Sequence, residues 1–374
     1  MLDRRIYSDE HLQFKESVKK FIDDEIAPNY DSWERDGRVP KSLYLKAGQY
    51  GLLCAEHNAD FLYSNIVTEE LNYRGFMSVF FALHSDIVFP YIANLAHAEK
   101  KSPWVDSSVA GRSVLALALT EPDFGSDLAQ IKTRGDVSDE GIIINGSKTF
   151  VSNGQIADLF VVAVRTNQET SRPHDGISLV VVEGDNPGLK RGRNLEKIGL
   201  KAQDTSELFF EDCKVPRENL LGEKDKGFSY LMENLQQERL VIAIGALAAA
   251  KGCLDITKEY IRSRSAFGKK VSEMQNTKFA MAEMETEIQI GQSFLDDIVT
   301  RHIDGENLVT EMSMAKYWIT DLQGKVADHC LQLHGGYGFM TEYLVSRYYA
   351  DARVQRIYGG TNEIMKELIA RNTL

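Results

Sequence analysis

Apolar residues change their spacing twice along the chain. From Ser8 to about Gly111 they recur at steps of three and four, as in Phe14, Val18, Phe21, Ile22 and Ile26. That is the period of helices with one buried face, and Ser8 stands where an N-cap would. From about Ser113 to Gly222 short β-rich runs take over, at 114–119, 141–144, 149–151, 159–164, 177–182 and 207–210. Asn145-Gly146 and Asn153-Gly154 fall between such runs. Both residue types tolerate positive φ, so they predict tight hairpins in a small antiparallel β-domain. From about Lys226 the helical period returns in three long segments, roughly 226–262, 271–303 and 307–333, and a fourth, shorter one ends the chain. Small residues from Gly245 to Ala250 allow a neighbouring helix to approach closely, and long helices with short connections make a four-helix bundle. The pattern predicts a mainly α protein with a middle β-domain: helical over 1–112, β over 113–225 and a helical bundle over 226–374.

At 374 residues the chain is too long for one ordinary core. Its composition, 43% hydrophobic and 26% charged, is that of a globular protein, and no uninterrupted apolar run is long enough to span a bilayer. A formal net charge of −12 argues against a nucleic-acid partner, which needs a basic face. Cys54, Cys213, Cys253 and Cys330 are far apart, and the eight histidines are scattered without an H-E-x-x-H. No metal site is read, and the thiols are expected free and buried. The start, Met1-Leu2-Asp3-Arg4-Arg5, leads into the helical pattern without the apolar core of a signal peptide or the run of a transit peptide. That fits a bacterial cytoplasm, or a mitochondrial matrix if the protein is a processed form.

Five segments carry polar groups in patterns that chemistry uses. Leu117 to Asp127 ends a strand in a turn whose N–H groups, with the hydroxyls of Thr120 and Ser126, suit a phosphate or the polar edge of a ring. An ordinary structural turn would read the same. Lys148-Thr149-Phe150-Val151-Ser152 places an aromatic and a hydroxyl at a strand end, either against a flat cofactor or as plain core. Gln236-Gln237-Glu238-Arg239 lies in an otherwise apolar helix, where Glu238 either faces water or points into the bundle. Burial would raise its pKa and make it a usable base. Gly335-Gly336-Tyr337-Gly338 follows a helix with no βαβ unit around it, so a Rossmann loop is rejected in favour of a Gly-rich helix end. Last, Gly359-Gly360 breaks the helical pattern and Thr361 caps the final helix, whose free N–H groups suit an anion or a carbonyl.

In this order and spacing, the segments resemble the acyl-CoA dehydrogenase family over nearly the whole chain. The resemblance rests on Thr120-Glu121-Pro122 with Gly125-Ser126-Asp127, Gly199-Leu200-Lys201-Ala202-Gln203-Asp204-Thr205, Arg264-Ser265-Ala266-Phe267-Gly268, Gln332-Leu333-His334-Gly335-Gly336, and 357–364. It implies the acyl-CoA dehydrogenase fold: an N-terminal helical domain, a middle β-barrel and a C-terminal four-helix bundle, assembled as a homotetramer with FAD between β-domain and bundle. Leu117, Leu119, Thr120, Gly125 and Ser126 would line the flavin and its phosphates, and Phe150, Val151 and Ser152 would cover the ring. Arg264, Gln275, Gln332, Leu333, His334, Gly335 and Gly336 would hold the dinucleotide, partly across a subunit interface. Thr361, Asn362 and Glu363 would meet the cofactor at the last helix.

Two departures from the family sharpen this. Many members carry the catalytic Glu just before the Gly-Thr of the last motif, and that position here is Gly359. Long-chain and isovaleryl-type members place the base on a bundle helix, at the position matched by Glu238, and the ending from Tyr358 to Leu368 resembles the long-chain type. Near Asn58-Ala59-Asp60-Phe61 a longer Gly-rich loop is missing, which leaves the shape of the acyl pocket open. The implied reaction is FAD-dependent dehydrogenation of a medium-to-long acyl-CoA to trans-2-enoyl-CoA in fatty-acid β-oxidation. Glu238 is the base, Ser126, Gln236, Arg239, Gly359 and Gly360 meet the substrate, and an electron-transfer flavoprotein takes the electrons. Competing readings are a branched-chain, isovaleryl-type dehydrogenase, an oxygen-using oxidase-like or nitroalkane-type relative, and a non-catalytic member. Retention of Glu238 opposes the last.

Overall fold

The computed structural model describes residues 4–170 and 172–374, so Met1, Leu2 and Asp3 of the N-terminal reading lie outside the described residues. The N-terminal helices are α1 (Asp9–Phe21), α2 (Tyr30–Asp36), α3 (Lys41–Gln49), α4 (Ala55–Asn58), α5 (Phe61–Tyr73), α6 (Phe89–Leu95) and α7 (Ala98–Val109). Ser8 caps α1, its hydroxyl accepting from the His11 N–H. Val18, Phe21, Ile22 and Ile26 are buried as the period requires, although α1 widens into a π-helical turn at Ile22–Ile26. A second π-helical segment, Leu83–Val88, buries all six of its residues, His84, Ser85 and Asp86 among them. Such turns are common near functional sites, and this one lies where all three parts of the chain meet.

The strands are β1 (Leu115–Ala118), β2 (Arg134–Ser138), β3 (Gly141–Ser152), β4 (Leu159–Arg165), β5 (Ile177–Glu183), β6 (Leu189–Asn194), β7 (Thr205–Val215) and β8 (Leu220–Leu221). They form one sheet in the order β6-β7-β3-β2-β4-β5-β8, with β1 on β4. Both hairpin expectations need correction. β3 runs straight through Asn145-Gly146: Asn145 pairs with Arg134, and the ladder to β7 shifts between Ile144 and Gly146. The pair therefore makes a bulge. Gly146 has φ 147, and a Cβ there would come within 2.7 Å of the Thr133 Cα. The reversal comes instead between Ser138 and Gly141. Asn153-Gly154 is a turn, with Asn153 at φ 60, but it leads to β4, which neighbours β2 and β5 and not β3. Nor is the sheet wholly antiparallel, since β1 runs parallel to β4 and β2 meets β4 in parallel at Arg134 and Arg165.

The sheet curls around one core containing Ala116, Ile144, Phe160, Val162, Val180, Leu208 and Phe210. Alternate residues Leu159, Val161, Ala163, Leu179 and Val181 point the other way, into a core shared with the N-terminal helices. Strands covered on both faces read as the continuous apolar runs seen in the sequence.

The bundle comprises α8 (Gly227–Ser263), α9 (Gln275–Ile303) and α10 (Val309–His334), with a small hairpin of β9 (Ser265–Ala266) and β10 (Lys269–Lys270) after α8. The remaining chain forms two helices, α11 (Leu344–Gln355) and α12 (Asn362–Thr373), where the pattern predicted one short element. Left-handed Gly359 and Gly360, at φ 63 and 90, divide them. The most apolar part of α8 is long enough to cross a membrane by length and composition, yet 83% of that stretch is buried inside the fold. Close approach to α5 explains its small residues: a Cβ on Gly252 would lie 1.9 Å from the Tyr73 carbonyl oxygen, and one on Gly245 would lie 3.1 Å from the Asn72 amide.

Candidate active site

Glu238 lies on α8 with part of its surface open. Burial pushes its pKa up to about 7, against the opposing pull of Arg239 and Lys316. A carboxylate titrating near neutrality can both take and release a proton. A Cβ on Gly359 would lie 3.6 Å from Glu238 Oε1. The two positions weighed for a base in the sequence therefore lie side by side, with the carboxylate on α8 in this chain. Among the described residues, neither the Gly359 nor the Gly360 N–H has an acceptor within the chain, so two backbone donors are unpaired in the turn that adjoins the carboxylate. Tyr91 Oη and Arg239 Nε are also buried without partners. Burial and the Glu238 charge both push the Tyr91 pKa well above its usual value.

The neighbours of Glu238 in sequence do different work. Gln236, expected at the substrate, turns its Oε1 to the Leu308 N–H at 3.2 Å and ties α8 to the start of α10. Gln237 donates from Nε2 to Glu56 Oε2 at 2.9 Å and to the Asp86 carbonyl at 3.1 Å.

The second half of the site belongs to the β-domain. Lys148 is fully buried and donates to the Leu119 carbonyl and to Glu121 Oε1, both at 2.9 Å. Glu121 also accepts from the N–H groups of Lys132 and Thr133 at 2.7 and 2.8 Å. The Thr149 N–H donates to the Thr120 carbonyl at 2.8 Å. These bonds clamp the 117–126 segment against the end of β3. There Phe150 takes φ 57 and is 68% exposed, an unusual state for a bulky residue. Leu117, Leu119, Thr120 and Ser152 are half-buried, Gly125 and Ser126 are exposed, and Val151 is in the β core. An exposed aromatic beside a turn with accessible N–H groups fits a flat ring with an anionic tail, which is the chemistry of a flavin nucleotide.

The π-helical segment joins the two halves. His84 accepts the Leu115 N–H at Nδ1, 3.2 Å, and its Nε2 lies 3.1 Å from the Ser108 carbonyl. One ring nitrogen accepts and the other donates, so the imidazole is neutral, and burial holds its pKa down at about 4. Ser85 Oγ accepts from the Cys54 N–H at 2.9 Å, and the next carbonyl, of Asp86, holds Gln237. Three consecutive residues thus tie β1, the α4 loop and α8 together. The 199–205 motif makes a second tie. The Leu200 N–H donates to Asp351 Oδ1 on α11 at 2.5 Å, and Asp204 accepts from the Gln155 N–H at 2.6 Å just past β3.

The remaining residues named from the sequence fall elsewhere. Thr361 caps α12, its Oγ1 3.4 Å from the Ile364 N–H. Asn362 is buried, its amide donating to the Tyr317 carbonyl, Thr320 Oγ1 and Asp321 Oδ1, so its side chain is engaged within the chain. Glu363 is exposed. Arg264 lies roughly 40 Å from Glu238 along α8, at 1.5 Å per residue. Near it, Gln332, Gly335 and Gly336 are exposed, as is Gln275 at the start of α9. The Arg264 guanidinium lies 5.6 Å from the Tyr337 ring centre. Leu333 is half-buried, and His334 is buried and stacked on Tyr260 at 4.2 Å. The named residues therefore fall in three places: Glu238 with the 359–360 turn, the 117–126 turn with the end of β3, and the far end of the bundle.

Sequence reasoning passed over Lys316, Tyr91 and Asp86, and named Lys148 without giving it a role. The one signal for Lys316 was a cation on the buried stripe of α10, set among Met312, Ala315 and Ile319.

The chain matches three family models along its length: "Acyl-CoA dehydrogenase, N-terminal domain" over residues 8–112, "middle domain" over 116–213 and "C-terminal domain" over 225–374. It is 47% identical to the mitochondrial long-chain specific acyl-CoA dehydrogenase of Sus scrofa, over 98% of this chain and 87% of that protein. The structure is similar to that of an acyl-CoA dehydrogenase from Geobacillus kaustophilus, with a TM-score of 0.96, 49% identity and 99% of both chains covered. A glutaryl-CoA dehydrogenase from Mycobacterium smegmatis, solved in complex with FADH2, aligns with a TM-score of 0.91 at 27% identity, covering 98% of this chain and 95% of that one.

Proposed function

This chain belongs to the acyl-CoA dehydrogenase family, whose members are oxidoreductases acting on acyl-CoA, and on that premise we propose that it converts a medium-to-long acyl-CoA to the trans-2-enoyl-CoA in fatty-acid β-oxidation, with Glu238 as base. The observation that carries this reading is the Glu238 carboxylate, its pKa pushed up to about 7 by burial, beside the free N–H groups of Gly359 and Gly360. Those donors receive the thioester oxygen and stabilise the charge that develops there as the α-proton leaves. Glu238 Oε1 takes that proton. Arg239, whose buried Nε has no partner, lies beside it in sequence as a fixed positive charge.

FAD, when bound, supplies the acceptor for the β-hydride. Leu117, Leu119, Thr120, Gly125, Ser126 and Phe150 would hold its ring and phosphates on the β-domain side. Arg264, Gln275 and 332–336 are too far along the bundle to serve the same site in one subunit, which favours a homotetramer in which copies share the dinucleotide. Phe267, Phe279, Tyr337 and Phe339 are exposed at that end and supply apolar surface for such an interface. Reduced enzyme would pass its electrons to an electron-transfer flavoprotein. The identity to the long-chain enzyme favours a straight-chain substrate over a branched one.

The test is anaerobic bleaching of the flavin absorbance by a panel of acyl-CoAs, with wild type and Glu238→Gln side by side. Bleaching by wild type that is lost in FAD-replete Glu238→Gln is the expected result, and the panel ranks chain length. Bleaching of both proteins at equal rates would remove Glu238 from the mechanism.

A further inference from the structure

The Gly359–Gly360 turn adjoins Glu238, a Cβ on Gly359 lying 3.6 Å from Oε1, and something must hold the turn in place. Two consecutive glycines at φ 63 and 90 are loose unless fastened, because glycine reaches many backbone states at little cost. The fastening comes from one side chain on α10. Lys316 is fully buried, and its Nζ donates to the Gly360 carbonyl at 2.6 Å and to Asn362 Oδ1 at 3.0 Å. Asn362 in turn is held by Tyr317, Thr320 and Asp321, one turn along the same helix. A buried ammonium with two oxygen acceptors is a costly way to close a loop, and an apolar side chain of equal length would fill the space. The cation also lies in the field of the base.

We propose that Lys316 is a positioning residue for the dehydrogenation: by gripping the Gly360 carbonyl and the Asn362 side chain it locks the 359–360 turn against Glu238, so that the donors for the thioester oxygen and the base address the same substrate carbon. This rests on the reading of Glu238 as base. Around Glu238 the charged and titratable groups are Arg239 on α8, Lys316 on α10, Tyr91 on α6 and Tyr358 in the turn. Around Lys316 they are Arg239, Glu238, Asp321 and Glu363. Lys316 is thus one of two cations that keep the base from becoming a weaker acid, and it is the one that also holds the loop.

Two variants separate this role from a purely structural one. Lys316→Met removes both the donor and the charge, and Lys316→Gln keeps a donor on a shorter, neutral arm. The measurement is the rate of anaerobic flavin bleaching by one acyl-CoA across pH, made on the FAD-replete fraction, with thermal unfolding followed in parallel. In Lys316→Met bleaching should slow about 10- to 100-fold, the cost of a small misplacement of reacting groups, and the pH at which the base ionises should move up. Lys316→Gln should recover part of the rate while keeping the raised pH midpoint. Unchanged rate and midpoint in either FAD-replete variant would overturn the proposal, and if Lys316→Met does not fold, Lys316→Gln decides alone. Failure of wild type to bleach with any acyl-CoA would instead overturn the functional reading on which the proposal rests.

Discussion

Two buried ionic groupings in this molecule are built on opposite terms. In the β-domain, Lys148 and Glu121 lie 2.9 Å apart, and further backbone partners bind both. In the bundle, Glu238, Arg239 and Lys316 share one low-dielectric region, yet Arg239 Nε, Tyr91 Oη and Asp86 Oδ1 nearby are left without partners. The first arrangement is a joint: every charge is answered, so the 117–126 turn and the end of β3 are fixed. The second we read as a receptor: its free polar groups cost stability and would be compensated by a polar ligand. Burial of a charge is therefore no sign of function, whereas burial with incomplete pairing is.

The contrast can be broken at either end. At the receptor, Glu238→Gln should slow flavin bleaching by acyl-CoA about 10²- to 10⁴-fold, the usual contribution of a general base. The same change should stabilise the fold. The pKa of this acid is raised in the folded state, to about 7 from an ordinary 4.5, so the folded protein binds the proton more tightly and the group's contribution to stability falls as pH rises between those values. Glutamine removes that penalty. The gain, at most about 3 kcal/mol by linkage, should be full above pH 7 and absent below about pH 4.5, as thermal unfolding across pH would read. At the joint, Lys148→Met should do the reverse. It leaves Glu121 buried without its cation, which costs about 3–5 kcal/mol, and FAD content should drop along with the melting temperature. Lys148→Met with Glu121→Gln should recover part of the loss. An unaltered melting temperature in Lys148→Met would show that the joint contributes nothing.

What the sequence displayed and what it hid follow the same division. Periodicity exposed the helical stripe of α1, the three long bundle helices and the apolar strands, because each depends on spacing that local residues carry. Glu238 and the 359–360 turn stood out as candidates because a motif lacked its usual carboxylate. Asn145-Gly146 misled, since a bulge and a hairpin ask for the same permissive residues and only the partner strand decides between them. Gln236 was expected at the substrate from its place beside Glu238, and the tie its carbonyl makes to the Leu308 N–H was not visible in the sequence. Lys316 and the His84–Asp86 segment were hidden because their roles come from contacts across elements far apart in sequence, with Gly360, Asn362, Leu115 and Gln237.

The smallest expected effect lies at Asp86, and it tests whether incomplete pairing beside the bundle is a real cost. This carboxyl is 4% exposed, and its Oδ1 has no partner among the described residues. Burial pushes its pKa up to about 8, the Ser64 hydroxyl opposes the rise and the Glu56 carboxyl adds to it. An ordinary aspartate ionises near 3.8, so as pH climbs from there to about 8 the unfolded chain loses its proton first and stability falls. Asp86→Asn removes the ionisation and keeps the shape. It should therefore stabilise the protein by roughly 1–3 kcal/mol at pH 8, the scale of an uncompensated buried polar group, and by progressively less toward pH 4. Thermal unfolding of the two proteins at pH 5, 7 and 9 measures this. A variant less stable than wild type at pH 9 would mean that the Asp86 carboxylate is answered by a positive partner after all, and the region around Gln237 would then be a joint like the one in the β-domain.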